Sequence, residues 1–310
     1  MNKKGSSGNS LYSAYRKIRF IARKGTLFTL PEQKEYGKID FPARTFQIIF
    51  LNSLFLFLLA YLFIYLLNLF ITGFASQANN IPAILYYHGV DYIIRGKDWT
   101  PDSINIVFSS SPLIMLFLSI VYVIIYVSVS AETGMLRLFL LWMLFFALTR
   151  CFGEILVGAI MNKGFGYVIL YLFIMDTGKL ILTFSTFLIM FTTGFFMTRH
   201  ALFSANIYFN DLRRSYRMRF IISQFVLPFI LGNILIFIVK LPEINIFDIA
   251  VNASMILFLI PIVFRSVTVE ELYFDEDQRK IRFSFILLVA TILFYTLFRI
   301  FFGIGIRLTV

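Results

Sequence analysis

Four ionisable side chains interrupt two otherwise apolar stretches. In LTRCFGEILVG, Arg150 and Glu154 stand four residues apart; in YLFIMDTGKLILTF, Asp176 and Lys179 stand three apart. Both spacings place the pair on one face of a helix. A charge in hydrocarbon costs at least about 2.5–3.5 kcal/mol on insertion scales, so such groups pair inside the bundle and mark candidate functional sites. The chemistry open to them is passage of a small ion or solute, proton relay, or acid–base catalysis with Glu154 or Asp176 as the base. A neutral quartet can also lock two helices together without any transport.

The tight turn MNKGFG lies between the two pairs, so the flanking helices are expected to form an antiparallel hairpin. At 1.5 Å per residue, Arg150 and Asp176 then lie at matching depths of roughly 18–20 Å below the turn. The expected arrangement is a polar network of Arg150, Glu154, Asp176 and Lys179, with an Arg150–Asp176 pair at its centre. Secondary polar candidates are Asn233, which with Pro228 interrupts the fifth run, Asn252, which with Pro261 interrupts the sixth, and Asp248 and Arg299, both near the outer boundary and able to pair with each other. The stretch SSSPL reads as a serine cap with Pro112 in the first turn of a helix.

Several chemistries lack their residues. No HExxH or Walker lysine motif occurs, and no serine–histidine pair falls within the apolar runs. Cys151 is the sole cysteine, which excludes an internal disulfide and a cysteine-cluster metal site. His88 and His200 fall on opposite sides of the expected membrane. No metal ligands, cofactor or catalytic residues are assigned, and an enzyme is the less favoured class.

The elements that position these groups follow from composition. Of 310 residues, 59% are hydrophobic and only 15% charged, with a mean hydropathy of +0.82. Soluble domains carry roughly 45–50% apolar and about 25% charged residues. The chain therefore reads as an all-α, polytopic helical transmembrane bundle. Seven apolar runs, at about 46–74, 112–129, 135–160, 167–197, 220–239, 244–264 and 283–304, reach the roughly 20 residues a spanning helix needs.

Basic residues alternate with these runs. Twenty of the 28 lysines and arginines fall on the side of the N-terminus, five on the other side and three within spans. Lys and Arg favour the cytoplasmic side, so the N-terminus is expected there, in a cell membrane of the cytoplasmic or inner type. The net charge of +11 is explained by this bias rather than by nucleic acid.

Residues 1–45 form a basic segment in which LYSAYRKIRFIARK suits an interfacial amphipathic helix on anionic lipid. The outer loop 75–111 is rich in Tyr and Trp, as expected of an interfacial helix or of a cap facing a ligand. The loop 267–283 has an acidic half followed by a basic half and is a candidate protein-docking surface. The functional expectation is a protein that handles a small solute, proton or lipid without ATPase chemistry. Its rivals are a membrane scaffold or assembly subunit and, more weakly, an intramembrane enzyme acting on lipid-linked substrates.

Overall fold

The computed structural model describes residues 43–129, 134–209, 212, 214–269, 272 and 281–308. Residues 1–42, which hold the expected amphipathic helix, and 273–280 at the centre of the expected docking loop lie outside them. Seven helical spans are long and apolar enough to cross a membrane: Arg44–Ala78, Pro101–Ser128, Gly134–Met161, Asp176–Ile207, Arg214–Val239, Ile246–Ser266 and Phe285–Ile304. Span three is the central element: 83% of its apolar stretch is buried, against 17% in spans four and seven.

The second span starts earlier than expected. Thr100 is its N-cap: its hydroxyl accepts from Ser103 N at 3.2 Å while Ser103 Oγ accepts from Thr100 N at 3.1 Å. Pro101 follows at the first helical position, where its missing N–H costs nothing. Pro112 lies well inside the helix, so the SSSPL cap is not formed. Ser110 instead bonds within its own helix, to Val107 O at 2.9 Å, and Ser111 reaches the Asn68 side chain of span one.

The expected fourth span is broken. A short helix, Phe165–Tyr171, is separated from the helix Asp176–Phe203 by Leu172–Met175, with Phe173 at φ 54°. The short helix folds back against the end of span three through a two-glycine contact. A Cβ built on Gly166 would collide with the backbone carbonyl of Gly158, so only glycine permits this approach. Two other spans are irregular: Thr149–Gly153 in span three and Ile222–Val226 in span five are π turns.

The outer loop is not an interfacial helix. It folds into strands β1 (Ala83–Tyr86) and β2 (Gly89–Tyr92), joined by a two-residue turn at Tyr87–His88. Strand β3 (Ile306–Leu308) follows span seven and pairs antiparallel with β1, giving the order β2-β1-β3. The pairing fixes a parity. β1 follows span one and β3 follows span seven, so spans two to seven cross the bundle an even number of times.

Below this sheet the core is aromatic. Phe57 packs edge-on against Trp142 at 4.9 Å and against Phe146 at 4.8 Å, and Trp142 reaches Phe225 at 5.2 Å. The Trp142 indole donates to Ser53 Oγ at 3.0 Å, and Ser53 donates to Gln224 O at 2.5 Å, so spans one, three and five are tied at one level.

Candidate functional site

Arg150 sits in the π turn of span three, about 16 Å from the end of that span at Met161 at 1.5 Å per residue. π turns of this kind often occur at functional sites. Gly153, on the same turn, lies against Ser254 and the Val251 carbonyl of span six. Span six is itself interrupted between Ala253 and Ile256, one residue past Asn252. Two irregular helices therefore meet face to face, and their polar side chains occupy the junction.

The Arg150 guanidinium forms an ion pair with Asp248 through Nη2, donates to Asn252 Oδ1 at 3.3 Å, and lies 3.6 Å from Glu154 Oε1 through Nη1. Asp248 forms a second ion pair, with the Lys240 ammonium. Arg150, Lys240, Asp248 and Glu154 are 3%, 2%, 5% and 7% exposed. The four charges sum to zero, which is what allows them to stay buried. Asp248 also lies in the first turn of its helix, whose N-terminal dipole favours a carboxylate.

Two tyrosines of span one complete the shell. The Lys240 ammonium stands 3.7 Å from the centre of the Tyr65 ring and 5.7 Å from that of Tyr61. Tyr65 Oη donates to Tyr87 O at 3.0 Å, which ties the network to the hairpin turn above it. The buried Tyr61 hydroxyl has no hydrogen-bond partner among the described residues. Lys240 lies one residue past the end of span five. Burial lowers its pKa to about 8, against the opposing pull of Asp248.

The network forms the floor of a cleft of about 960 Å³. Arg150, Glu154 and Asp248 line its bottom; Tyr92, Trp99 and Lys163 line its upper walls. Beneath the floor the aromatic core closes the way, with Tyr61 against Phe146 at 5.5 Å. At the rim His88 meets Glu243 at 2.6 Å, joining the hairpin turn to the segment between spans five and six.

Several expected partners change. Asp176 is exposed at the start of its helix, and Lys179 donates to Asn162 Oδ1 at 2.9 Å. Neither joins Arg150. The helical count failed because the chain breaks at Leu172–Met175, so Asp176 begins a new helix instead of lying midway along one. Asp248 meets Arg150 and Lys240 rather than Arg299. Arg299 donates to Leu241 O at 2.8 Å and stacks over Tyr87 at 3.5 Å. Asn252 enters the network, whereas Asn233 bonds only within its own helix, to Phe229 O at 2.7 Å.

Sequence reasoning missed Lys240, Tyr61 and Tyr65. Lys240 follows an apolar run directly, where a lysine ordinarily belongs to the loop beyond. Its one signal is Asp248, eight residues on across a Pro-containing turn. Among the described residues no group of histidine, cysteine and carboxylate side chains is placed to hold a metal ion.

Fold and site together define a class: a seven-span helical bundle with a neutral charged network at the floor of a cleft open at one end. The chain matches no known family model, no curated protein and no solved structure.

Proposed function

We propose that the chain is a multi-pass membrane protein, with the start of span one on the cytoplasmic side, that takes a small polar solute into the cleft from the opposite side. The observation that carries this reading is that the buried charges Arg150, Glu154 and Asp248 line a cleft about 960 Å³ in volume. A network serving packing alone gains nothing from an opening of that size above it. Discontinuous helices around the floor support a transport role, because broken spans line substrate sites in many transporters. The aromatic core below then acts as the closed inner gate of an outward-open state. Outward-facing Phe117, Phe184 and Phe301, all more than 60% exposed, suit contact with lipid.

The test uses a Cys151→Ala background with a single cysteine at Thr72, which lines the cleft, or at Phe146 in the core. Right-side-out vesicles are treated with a charged thiol reagent that does not cross membranes. Labelling at Thr72 but not at Phe146 is expected, and solute-dependent protection at Thr72 marks occupancy. Thr72 inert from both sides of the membrane overturns the open cleft.

A further inference from the structure

We infer that the cleft takes an organic cation, its alkylammonium group seated between the Glu154 carboxylate and the aromatic wall of Tyr92, Trp99, Phe108 and Tyr167. The inference rests on the cleft being a solute site, as proposed above.

Charge is unevenly answered at the floor. Asp248 has two cations, Arg150 and Lys240. Glu154 has a share of one, at 3.6 Å, from a guanidinium already engaged with Asp248 and Asn252. Of the two carboxylates at the floor of the cleft, Glu154 is therefore the one with the smaller share of cationic charge.

The wall beside it is a chain of ring contacts. Tyr92 meets Trp99 at 5.3 Å, Trp99 meets Phe108 at 5.6 Å, and Phe108 meets Tyr167 at 5.1 Å. All four line the cleft. Glu154 lines the same cleft as these rings; burial raises the Tyr92 phenol pKa, and the Glu154 charge adds to the rise. A carboxylate beside several ring faces is the environment that draws ammonium groups.

The protein contains its own precedent. Lys240 is an alkylammonium held by one carboxylate, Asp248, and the faces of Tyr65 and Tyr61. Glu154 and the Tyr92–Tyr167 wall bring the same two elements, a carboxylate and aromatic rings, to one cleft, and no lysine among the described residues forms an ion pair with Glu154. A neutral sugar would stack on the rings but leave Glu154 unanswered. A simple anion would be set against both Glu154 and Asp248. Lys163 at the rim is exposed, so solvent weakens its repulsion of an entering cation.

The same headgroup chemistry has two sources, a free small amine or the choline or ethanolamine end of a lipid. The chain has two tryptophans, Trp99 in the wall and Trp142 in the core. The difference in emission between the wild type and Trp99→Phe therefore isolates the cleft. The full chain, purified in a non-ionic polyoxyethylene detergent, is titrated with choline chloride, dihexanoyl phosphatidylcholine, glucose and sodium phosphate, against sodium chloride at equal ionic strength.

Saturable change with choline is expected, lost in Trp99→Phe and weakened at least tenfold in Glu154→Gln. Saturation by the phosphatidylcholine alone assigns the headgroup to lipid and upholds the cation. If Glu154→Gln does not fold, Phe108→Leu serves, with the same weakening expected. Saturation only by glucose or phosphate overturns the cation while leaving the cleft a solute site. Silence with all four probes overturns both. Choline binding unchanged in Glu154→Gln and in Phe108→Leu also overturns the inference.

Discussion

Asp248→Asn is the most informative single change in this molecule. The substitution keeps the shape and removes the one carboxylate among the described residues that both Arg150 and Lys240 touch. Two cations, 3% and 2% exposed, are then left with Glu154, 3.6 Å from one of them. Breaking one buried pair in this way costs about 3–5 kcal/mol. A kcal/mol corresponds to about 2–4 °C in a domain of 150–250 residues, so the midpoint should fall by roughly 6–20 °C. The assay is thermal unfolding in detergent, followed by scanning fluorimetry. Adding Lys240→Met returns the cluster to one cation and one anion. The double variant should therefore lose less than the sum of the two single losses, by about 0.5–3 kcal/mol, the usual coupling between groups in contact. Asp176→Asn, at an exposed helix start, should cost only about 0.3–1 kcal/mol through the helix dipole. Strict additivity of Asp248→Asn and Lys240→Met, or a loss in Asp176→Asn equal to that in Asp248→Asn, would refute the network.

Three further outcomes follow. Lys240 faces Asp248, Arg150, Tyr65 and Tyr61 with a pKa lowered to about 8 from the ordinary lysine value of 10.5. Between those values the unfolded chain binds more protons than the folded one at this residue, so its contribution to stability rises with pH across that window and is lowest below pH 8. Subtracting the pH profile of Lys240→Met from that of the wild type should leave this rise, and a flat difference would contradict it. Gly166→Ala should cost about 1–3 kcal/mol by forcing the Phe165–Tyr171 helix off Gly158, whereas Gly303→Ala, with open space around it, should be nearly neutral in the same melt. Single cysteines at Ser6 and Val310 in the Cys151→Ala background should label from opposite sides of the membrane; labelling from one side would rule out an odd number of crossings.

The seven spans were legible because each apolar run is long and the basic residues alternate with the runs. That Arg150 and Glu154 share a face was legible too, since the spacing of four leaves them 3.6 Å apart across the end of the π turn. Their other partners were not. Hydropathy runs unbroken across Leu172–Met175, so nothing in it announces that the helix stops there, and every depth counted past that point was displaced. Asp248 and Lys240 sit at span ends, where charges are ordinary, and only the folding of the segment between them turns both inward. The hairpin was hidden for a different reason. Its strands are four residues each, and one of β1's two partners lies more than 200 residues away, beyond any local pattern.

That last pairing has a consequence for how the protein is made. β1 leaves the ribosome soon after span one, yet the edge that β3 covers stays open until span seven has been threaded and Ile306–Leu308 have followed it. Throughout synthesis of the spans between, the nascent hairpin presents bare amide and carbonyl groups on one side. Sealing that edge therefore waits on the threading of span seven, and a chain stalled anywhere before residue 306 would keep an unfinished sheet.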